Sequence, residues 1–458
     1  MENSKRKKNM PAAGGKKKGI TPARSGWLSR YRRLSRETLE LALGEVPGYA
    51  SWRRADPGPR ADVDDRYAAL PALTKRELRE HFPAGFVPRQ RELGPGLAAG
   101  EVEFAQTSGS TDDRVTLVFN PAWWEASERA AWGLNRHARR VADGRHREVV
   151  LASPRCVGPG FSPKPLSVAE RTIGRHLYVN QKINPATWTA TDIRRMAAEI
   201  NDYAPLALEG DPAYLAAFAR RLSETGGRIH QPRLVFLTYS YPSRLYLRQI
   251  RKVFSAPLVS SYGSTETGHV FMECEAGRLH QNSGHCRVDF LPWLFRHGGP
   301  QRGRILVTVF HNPWFVVLRF DIGDVARLDD RGPCPCGRNG GMVLAAIEGR
   351  LADVTFDGDG NAVTVDDVDA ALAQVAGLTA WQLDLPAPGS LRLRVTAEPG
   401  QARQALRLAR EQLRKIYGDK AKIDAEAARA LLHEKSGKFR FTRPAYPVDH
   451  AALWRSKI

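Results

Sequence analysis

At 458 residues the chain is too long for one small domain, so two domains are its default, with room for a third. Its 69 Lys and Arg against 49 Asp and Glu leave a formal charge of +20. That favours acidic partners (nucleotides, coenzyme A, an acidic carrier protein, nucleic acid) without choosing among them. No apolar run approaches the roughly 18 residues of a membrane span, and no apolar core follows the first basic residues. A soluble, cytoplasmic protein is the expectation.

Residues 1–24 hold eight basic residues against Glu2 alone, with Pro11, Gly14, Gly15 and Pro22 between them, and read as a disordered tail. Trp27 to Leu43 has helical apolar spacing. Thr74-Lys75-Arg76-Glu77 is a capping box that opens a helix. Glu101 to Gln106 and Val115 to Phe119 read as strands around a polar loop, and Trp123 to Val141 as a helix. Glu148 to Ser153 is a buried strand. Ile193 to Leu222, broken at Gly210-Asp211-Pro212, reads as helix, strand, helix. Arg233 to Leu237 is a strand, Ser243 to Phe254 a helix, and Pro257 to Ser260 a strand. This alternation predicts a mainly parallel sheet covered by helices. Beyond 270 the strands Arg304 to Phe310 and Val316 to Phe320, joined at Asn312-Pro313, predict an antiparallel subdomain. Past Arg350 the pattern becomes a small α+β unit, with strands Val354 to Phe356 and Leu391 to Val395 and helices Val365 to Val375 and Ala402 to Ile416.

Four short strings carry chemistry. Thr107-Ser108-Gly109-Ser110-Thr111 puts four hydroxyls around one glycine between two strands, a phosphate cradle or a plain polar turn. In Ser261-Tyr262-Gly263-Ser264-Thr265-Glu266, Tyr262 offers a flat ring to a purine and Gly263 a close backbone approach. There Thr265 can donate to a phosphate and Glu266 can hold magnesium. Asp324, after Gly323, is placed to bind two ribose hydroxyls, and Arg350 follows 26 positions later with a guanidinium for phosphate or ribose. Lys438, in Ser436-Gly437-Lys438, could bring a positive charge to a transferring phosphoryl group.

In this order, with a small unit after Gly349-Arg350, the strings resemble the adenylate-forming superfamily of acyl-CoA synthetases, adenylation domains and luciferases. The resemblance runs from about residue 27 to 445. Leu70-Pro71-Ala72-Leu73-Thr74-Lys75 and Cys334-Pro335-Cys336-Gly337-Arg338 look most like its phenylacetate–CoA ligase-like branch. The resemblance implies an α/β fold in two parts. Residues 25–350 would form a large ATP- and acid-binding domain of parallel sheets, helices and an antiparallel β subdomain. Residues 351–458 would form a small, mobile α+β domain. It also implies that Thr107 to Thr111 bind the ATP phosphates, Tyr262 stacks on adenine, Thr265 touches the α-phosphate and Glu266 holds Mg2+. Asp324 would bind ribose, Arg350 ribose or phosphate, and Lys438 would be the adenylation lysine. Tyr239 and Tyr241 match a loop bordering nucleotide and acid, or are packing aromatics.

The implied reaction activates a carboxylic acid, aryl or aryl-acetic in this branch, with ATP. The acyl group then passes to coenzyme A, to a carrier-protein phosphopantetheine or to an amine. Two departures stand out. Asp112-Asp113 follows the phosphate loop where Gly-Lys-Pro is usual, and the hinge aspartate falls on Ala352, with Asp353 one place later. A decayed ligase serving as a scaffold or nucleic-acid binder is the rival from another class; the basic tail and Asp112-Asp113 favour it, and the retained Glu266, Asp324, Arg350 and Lys438 oppose it. Cys274, His280, Cys334 and Cys336 would close a tetrahedral structural zinc site, as similar positions do in that branch, with His285 and Cys286 as rival ligands and Cys156 outside it.

Overall fold

The computed structural model describes residues 22–107, 114–142 and 145–455. Most of the expected tail, 1–21, therefore lies outside the described residues, as do Ser108, Gly109, Ser110, Thr111, Asp112 and Asp113. Helix α1 (Pro22–Glu45) opens the described chain. The capping box forms as expected: Glu77 N–H donates to Thr74 Oγ1 at 3.3 Å, and Thr74 N–H donates to the Glu77 carboxylate at 2.8 Å. A hairpin of β1 (Glu103–Gln106) and β2 (Thr116–Phe119) flanks the polar loop. Helix α2 (Pro121–Trp132), capped by the Asn120 side chain, ends at Gly133, well short of the expected Val141; a second Asn cap, Asn135, starts a separate turn there.

The next strands are β3 (Glu148–Leu151), β4 (Thr172–Ile173), β5 (His176–Tyr178), β6 (Ala207–Gly210), β7 (Leu234–Leu237) and β8 (Leu258–Ser264). Among them run helices α3 (Ala190–Tyr203), α4 (Pro212–Thr225) and α5 (Arg244–Arg251). Strands β5, β3, β6, β7 and β8 pair in parallel, and the central β3 and β7, Glu-Val-Val-Leu and Leu-Val-Phe-Leu, are buried along their whole length, as parallel strands covered on both faces are. Then follow β9 (Gly268–Glu273), β10 (Leu279–Gln281), β11 (Cys286–Pro292), β12 (Arg302–Val309), β13 (Phe320–Leu328) and β14 (Val343–Arg350), all antiparallel. The expected parallel and antiparallel parts are thus halves of one twelve-stranded sheet among the described residues, hinged on β8.

One expected strand is displaced. Residues 316–318 are buried, but only the Val317 carbonyl bonds back to β12, accepting from Val309, while Val316 and Leu318 donate to the Phe86 carbonyl and the Tyr49 hydroxyl, and no strand forms. Arg319 then turns through φ +50°, and the strand begins at Phe320.

Beyond Arg350 lie β15 (Thr355–Phe356), β16 (Ala362–Val363), α6 (Val365–Leu372), β17 (Leu378–Ala387), β18 (Ser390–Ala397), α7 (Ala402–Tyr417), β19 (Lys422–Ala427) and β20 (Thr442–Pro444). A four-stranded sheet of order β19-β18-β17-β20 forms there. Its core is continuous with that of α4 and α5: Trp381, Phe439 and Phe441 pack in one cluster with Tyr214, Tyr246 and Ile250. Arg244 adds ion pairs to Asp366 at 2.7 Å and Asp369 at 3.1 Å. No helix among the described residues is long and apolar enough to cross a membrane.

Candidate functional site

The parallel strands β3, β6 and β7 end at Leu151, Gly210 and Leu237, and a cavity of about 1180 Å³ opens beyond those ends and beneath the β8–β9 hairpin. Openings at the carboxyl ends of parallel strands are where such sheets bind ligands. Thr107, Tyr239, Tyr241, Tyr262, Gly263, Thr265, Glu266, Asp324, Arg350 and Lys438 all line it.

Register explains part of this convergence. Asp324 on β13 pairs with Arg350 on β14, so two side chains 26 residues apart meet across one ladder rung. Tyr262 donates its hydroxyl to Asp324 Oδ2 at 2.9 Å, which leaves Oδ1 for another donor. Burial raises the Asp324 carboxyl, and Arg350, Tyr262, Lys438 and Lys75 pull against that rise. Gly263 is required by the chain itself: a Cβ there would sit 2.0 Å from the Gly268 carbonyl oxygen across the hairpin. Glu266 is buried at the turn of the same hairpin.

The Lys438 loop is pinned from the other side. Ser153 Oγ donates to the Ser436 carbonyl at 2.7 Å and Arg155 to the Lys435 carbonyl at 3.1 Å, and the Tyr214 hydroxyl, which donates to the Ile183 carbonyl, lies 3.1 Å from the Gly437 carbonyl. Gly437 sits at φ +87°, and a Cβ on it would lie 2.3 Å from Ser153 Oγ. Only glycine meets both demands at low cost. The Lys438 ammonium is pulled below its ordinary range by burial and by the Arg350 charge, with Cys156 and Asp211 opposing. Asp211 caps α4, accepts from Ser240 Oγ at 2.9 Å and is pushed up to about 6 by burial.

The remaining expected residues divide. Thr107 Oγ1 accepts from the Val115 N–H at 3.0 Å and closes the base of its loop. Tyr239, at φ +72°, donates its hydroxyl to Glu209 inside the cavity. Tyr241 instead bonds Asp366 at 2.6 Å and packs on Phe441, joining the two parts of the chain. Asp353, one place beyond the expected hinge position, is buried and paired with Arg440 at 2.6 Å. Sequence reading missed Lys75, Glu128, Arg175 and Glu209 as residues lining the cavity. Lys75 stood beside the capping Thr74 and was read as part of the helix start; the others had no local string to mark them.

The cysteine cluster lies outside this cavity. Strand pairing sets Cys274, just past β9, beside His280 on β10, and the loop between β13 and β14 brings in Cys334 and Cys336. Cys274 Sγ is 3.6 Å from Cys334 Sγ, and Cys336 Sγ is 3.4 Å from His280 Nε2. All four ligand atoms lie within 4.8 Å of one another. Three sulfurs and one imidazole at this separation fit the donor set of a tetrahedral zinc. Cys286 points instead to the Asn282 carbonyl at 3.5 Å, and the His285 ring faces His311.

Among solved structures, 2-hydroxyisobutyryl-CoA ligase in the postadenylation state, in complex with 2-HIB-AMP, is similar over 94% of this chain and 91% of that one, at 18% identity and TM-score 0.68. This is the fold of the adenylate-forming CoA ligases. The same ligase in an open conformation with 2-HIB-AMP and CoA gives TM-score 0.55 over 92% of each chain. In the thioesterification state it gives 0.53, over 92% of this chain and 90% of that one. Of these arrangements of one enzyme, the postadenylation one is the most similar to the arrangement seen here. No family model matches the sequence, and no curated protein does.

Proposed function

We propose that this protein activates a carboxylic acid with ATP and passes the acyl group to the thiol of coenzyme A. A carboxylate oxygen attacks the α-phosphorus, the bond to the β-phosphate oxygen breaks, and pyrophosphate leaves. The thiol sulfur then attacks the acyl carbon of the acyl-AMP, losing its proton, and AMP leaves. The observation that carries this reading is the meeting of Glu266, Asp324, Arg350 and Lys438, from four distant places in the chain, in one cavity.

The roles follow from chemistry and position. Asp324, with Oδ1 open, accepts from ribose hydroxyls, and Tyr262 lays its ring beside the base while holding Asp324. Arg350 faces the same carboxylate and reaches ribose or phosphate. Lys438, held by the Ser153 and Tyr214 contacts, sets its charge between the attacking carboxylate and the α-phosphate, where negative charge builds in the transition state. Thr265 donates to the α-phosphate. Glu266 offers a buried carboxylate that would hold magnesium, which when bound would supply positive charge to the leaving pyrophosphate. Cys274, His280, Cys334 and Cys336 would hold a structural zinc that braces β9 and β10 against the β13–β14 loop. The aryl or aryl-acetic class implied by the sequence is the starting set for substrate screening.

Carboxylate-dependent exchange of pyrophosphate into ATP tests the first half-reaction, and coenzyme A-dependent AMP release tests the second. Exchange with at least one acid of a broad panel, followed by thioester on adding coenzyme A, is expected. No exchange with any acid in the presence of magnesium would overturn the reading. Exchange with no thioester would move the acceptor to a carrier-protein phosphopantetheine or an amine.

A further inference from the structure

The cavity continues past the nucleotide residues into a slot between the sheet and α2. Its floor is a single row of paired residues, Phe236, Glu209, Val150 and Tyr178, running across β7, β6, β3 and β5. Neighbours across a sheet share a face, and all four line the cavity. Trp124, Glu128 and Trp132 of α2 form the roof, with Trp132 stacked on Phe236 at 4.5 Å. The next rung of the same face carries Glu148 and His176.

This slot is acidic beneath its aromatic walls. Arg175 is already shared between Glu148 at 2.7 Å and Glu128 at 2.9 Å. His146 Nε2 lies 2.7 Å from the same Glu148 oxygen, and the other, Oε2, is buried with no hydrogen-bond partner. Glu209 has the Tyr239 hydroxyl as donor and no cation bonded to it among the described residues. Burial holds His176 below its ordinary range. Three carboxylates thus face one permanent cation already shared between two of them. Burial, and then the Glu148 charge, push Glu128 up to about 7 and Glu209 up to about 8.

We propose that this slot receives the far end of the acid substrate, and that this end carries a protonated amine: the protein activates an ammonium-bearing carboxylic acid whose cation sits between Glu209, Glu128 and the rings of Trp124, Tyr178 and Phe236. This rests on the ligase reading given above. A buried ammonium needs a nearby carboxylate and gains from aromatic faces, and both line this slot. An acid with an apolar tail would leave Glu209 with the Tyr239 hydroxyl alone and Glu128 with only its share of Arg175, and one with an anionic tail would meet three carboxylates and an arginine already taken.

The test is pyrophosphate exchange with the full-length protein and acids matched in shape. 4-(Aminomethyl)benzoate is set against 4-ethylbenzoate and 4-(hydroxymethyl)benzoate, and 5-aminopentanoate against hexanoate. Amine members should lead by on the order of a hundredfold in kcat/KM, since a site built for a polar group rejects the analogue lacking it. Glu209→Gln, which keeps the Tyr239 hydrogen bond, should shrink that ratio about tenfold or more. Equal or better exchange with the neutral acids overturns the proposal while leaving the ligase reading intact. A hydroxymethyl acid that matches the amine also overturns it, because the slot would then be reading a hydrogen bond and not charge. Exchange with none of the amines, neutral acids or the wider panel sinks the ligase reading, and the proposal with it.

Discussion

The two ends of the cavity carry opposite charge. At one end Lys75, Arg350 and Lys438 surround Asp324; at the other Glu128, Glu148 and Glu209 outnumber Arg175. Each end desolvates its ionisable groups, and at the acidic end three carboxylates face one arginine already shared by two of them. Burial lowers Lys438 and raises Glu209, so both groups are driven toward neutrality until something of opposite sign arrives. In our proposals an anionic nucleotide completes the first end and an ammonium completes the second. Held between two such ends, an acid would be aligned carboxylate toward Lys438 and tail toward Glu209.

The largest expected effect comes from removing the charge at the cationic end. Lys438→Ala should cost adenylation about a thousandfold, the scale of a lost transition-state donor. ATP binding should be nearly unchanged, and thioester formation from supplied acyl-AMP should survive. Equal loss in both half-reactions would show that Lys438 supports the fold and not the transition state. Gly437→Ala asks the same question of position, because its Cβ collides with Ser153 and its φ of +87° strains any other residue. It should cost adenylation roughly ten- to a hundredfold and again spare the second half-reaction. If adenylation is untouched, the docking of this loop does not position Lys438.

The two ends also differ in how they could be read from the sequence. The cationic end was legible because its residues lie in short strings whose order identifies them: Tyr262 to Glu266, Gly323-Asp324, Gly349-Arg350 and Gly437-Lys438. The strand and helix alternation from β3 to β8 was legible for a similar reason, since each element carries its own period. The acidic end was not. Glu128, Glu148, Arg175 and Glu209 come from a helix, two strands and a turn; the register of β3 and β6 sets Glu148 and Glu209 on one face, and α2 and the turn before β5 bring Glu128 and Arg175 to it. A lone glutamate in a buried strand gives no local sign of its neighbours. The Val316 to Phe320 strand failed for a different reason: apolar content marked burial, but only Val317 bonds back to Val309, and the N–H groups of Val316 and Leu318 go to Phe86 and Tyr49.

The cysteine cluster serves as a control, since it carries neither end of the cavity. Cys334→Ser should reduce metal content from about one zinc per chain and lower the melting temperature by several degrees. The amine preference among acids should not change. Cys286→Ser should leave the metal in place, since its thiol points to Asn282. Metal lost with Cys286 and kept without Cys334 would contradict the ligand set.

The smallest expected effect is a pH dependence that belongs to the acidic end. Glu209 rises from 4.5 to about 8 on folding, through burial and then the Glu148 charge; Tyr239, Glu128 and Arg175 are the other charged or titratable groups acting on it, and His146 and His176 face Glu148 beside it. A carboxyl raised on folding binds more protons folded than unfolded between those values. Its contribution is therefore fully present below about pH 4.5 and is lost as pH rises through about 8. Buried histidines such as His269, lowered to about 4, act in the opposite direction, so the raw slope of stability is a mixture. The difference between wild type and Glu209→Gln isolates the glutamate. Relative to pH 5, the wild type should lose roughly 2 °C or more of melting temperature against the variant by pH 8. A saturating ammonium-bearing acid should reduce that loss, because its charge favours the ionised carboxylate, whereas a neutral isostere should not. A difference that stays flat across this range would show that Glu209 is ionised and already balanced in the free protein, and the contrast between the two ends would then not hold.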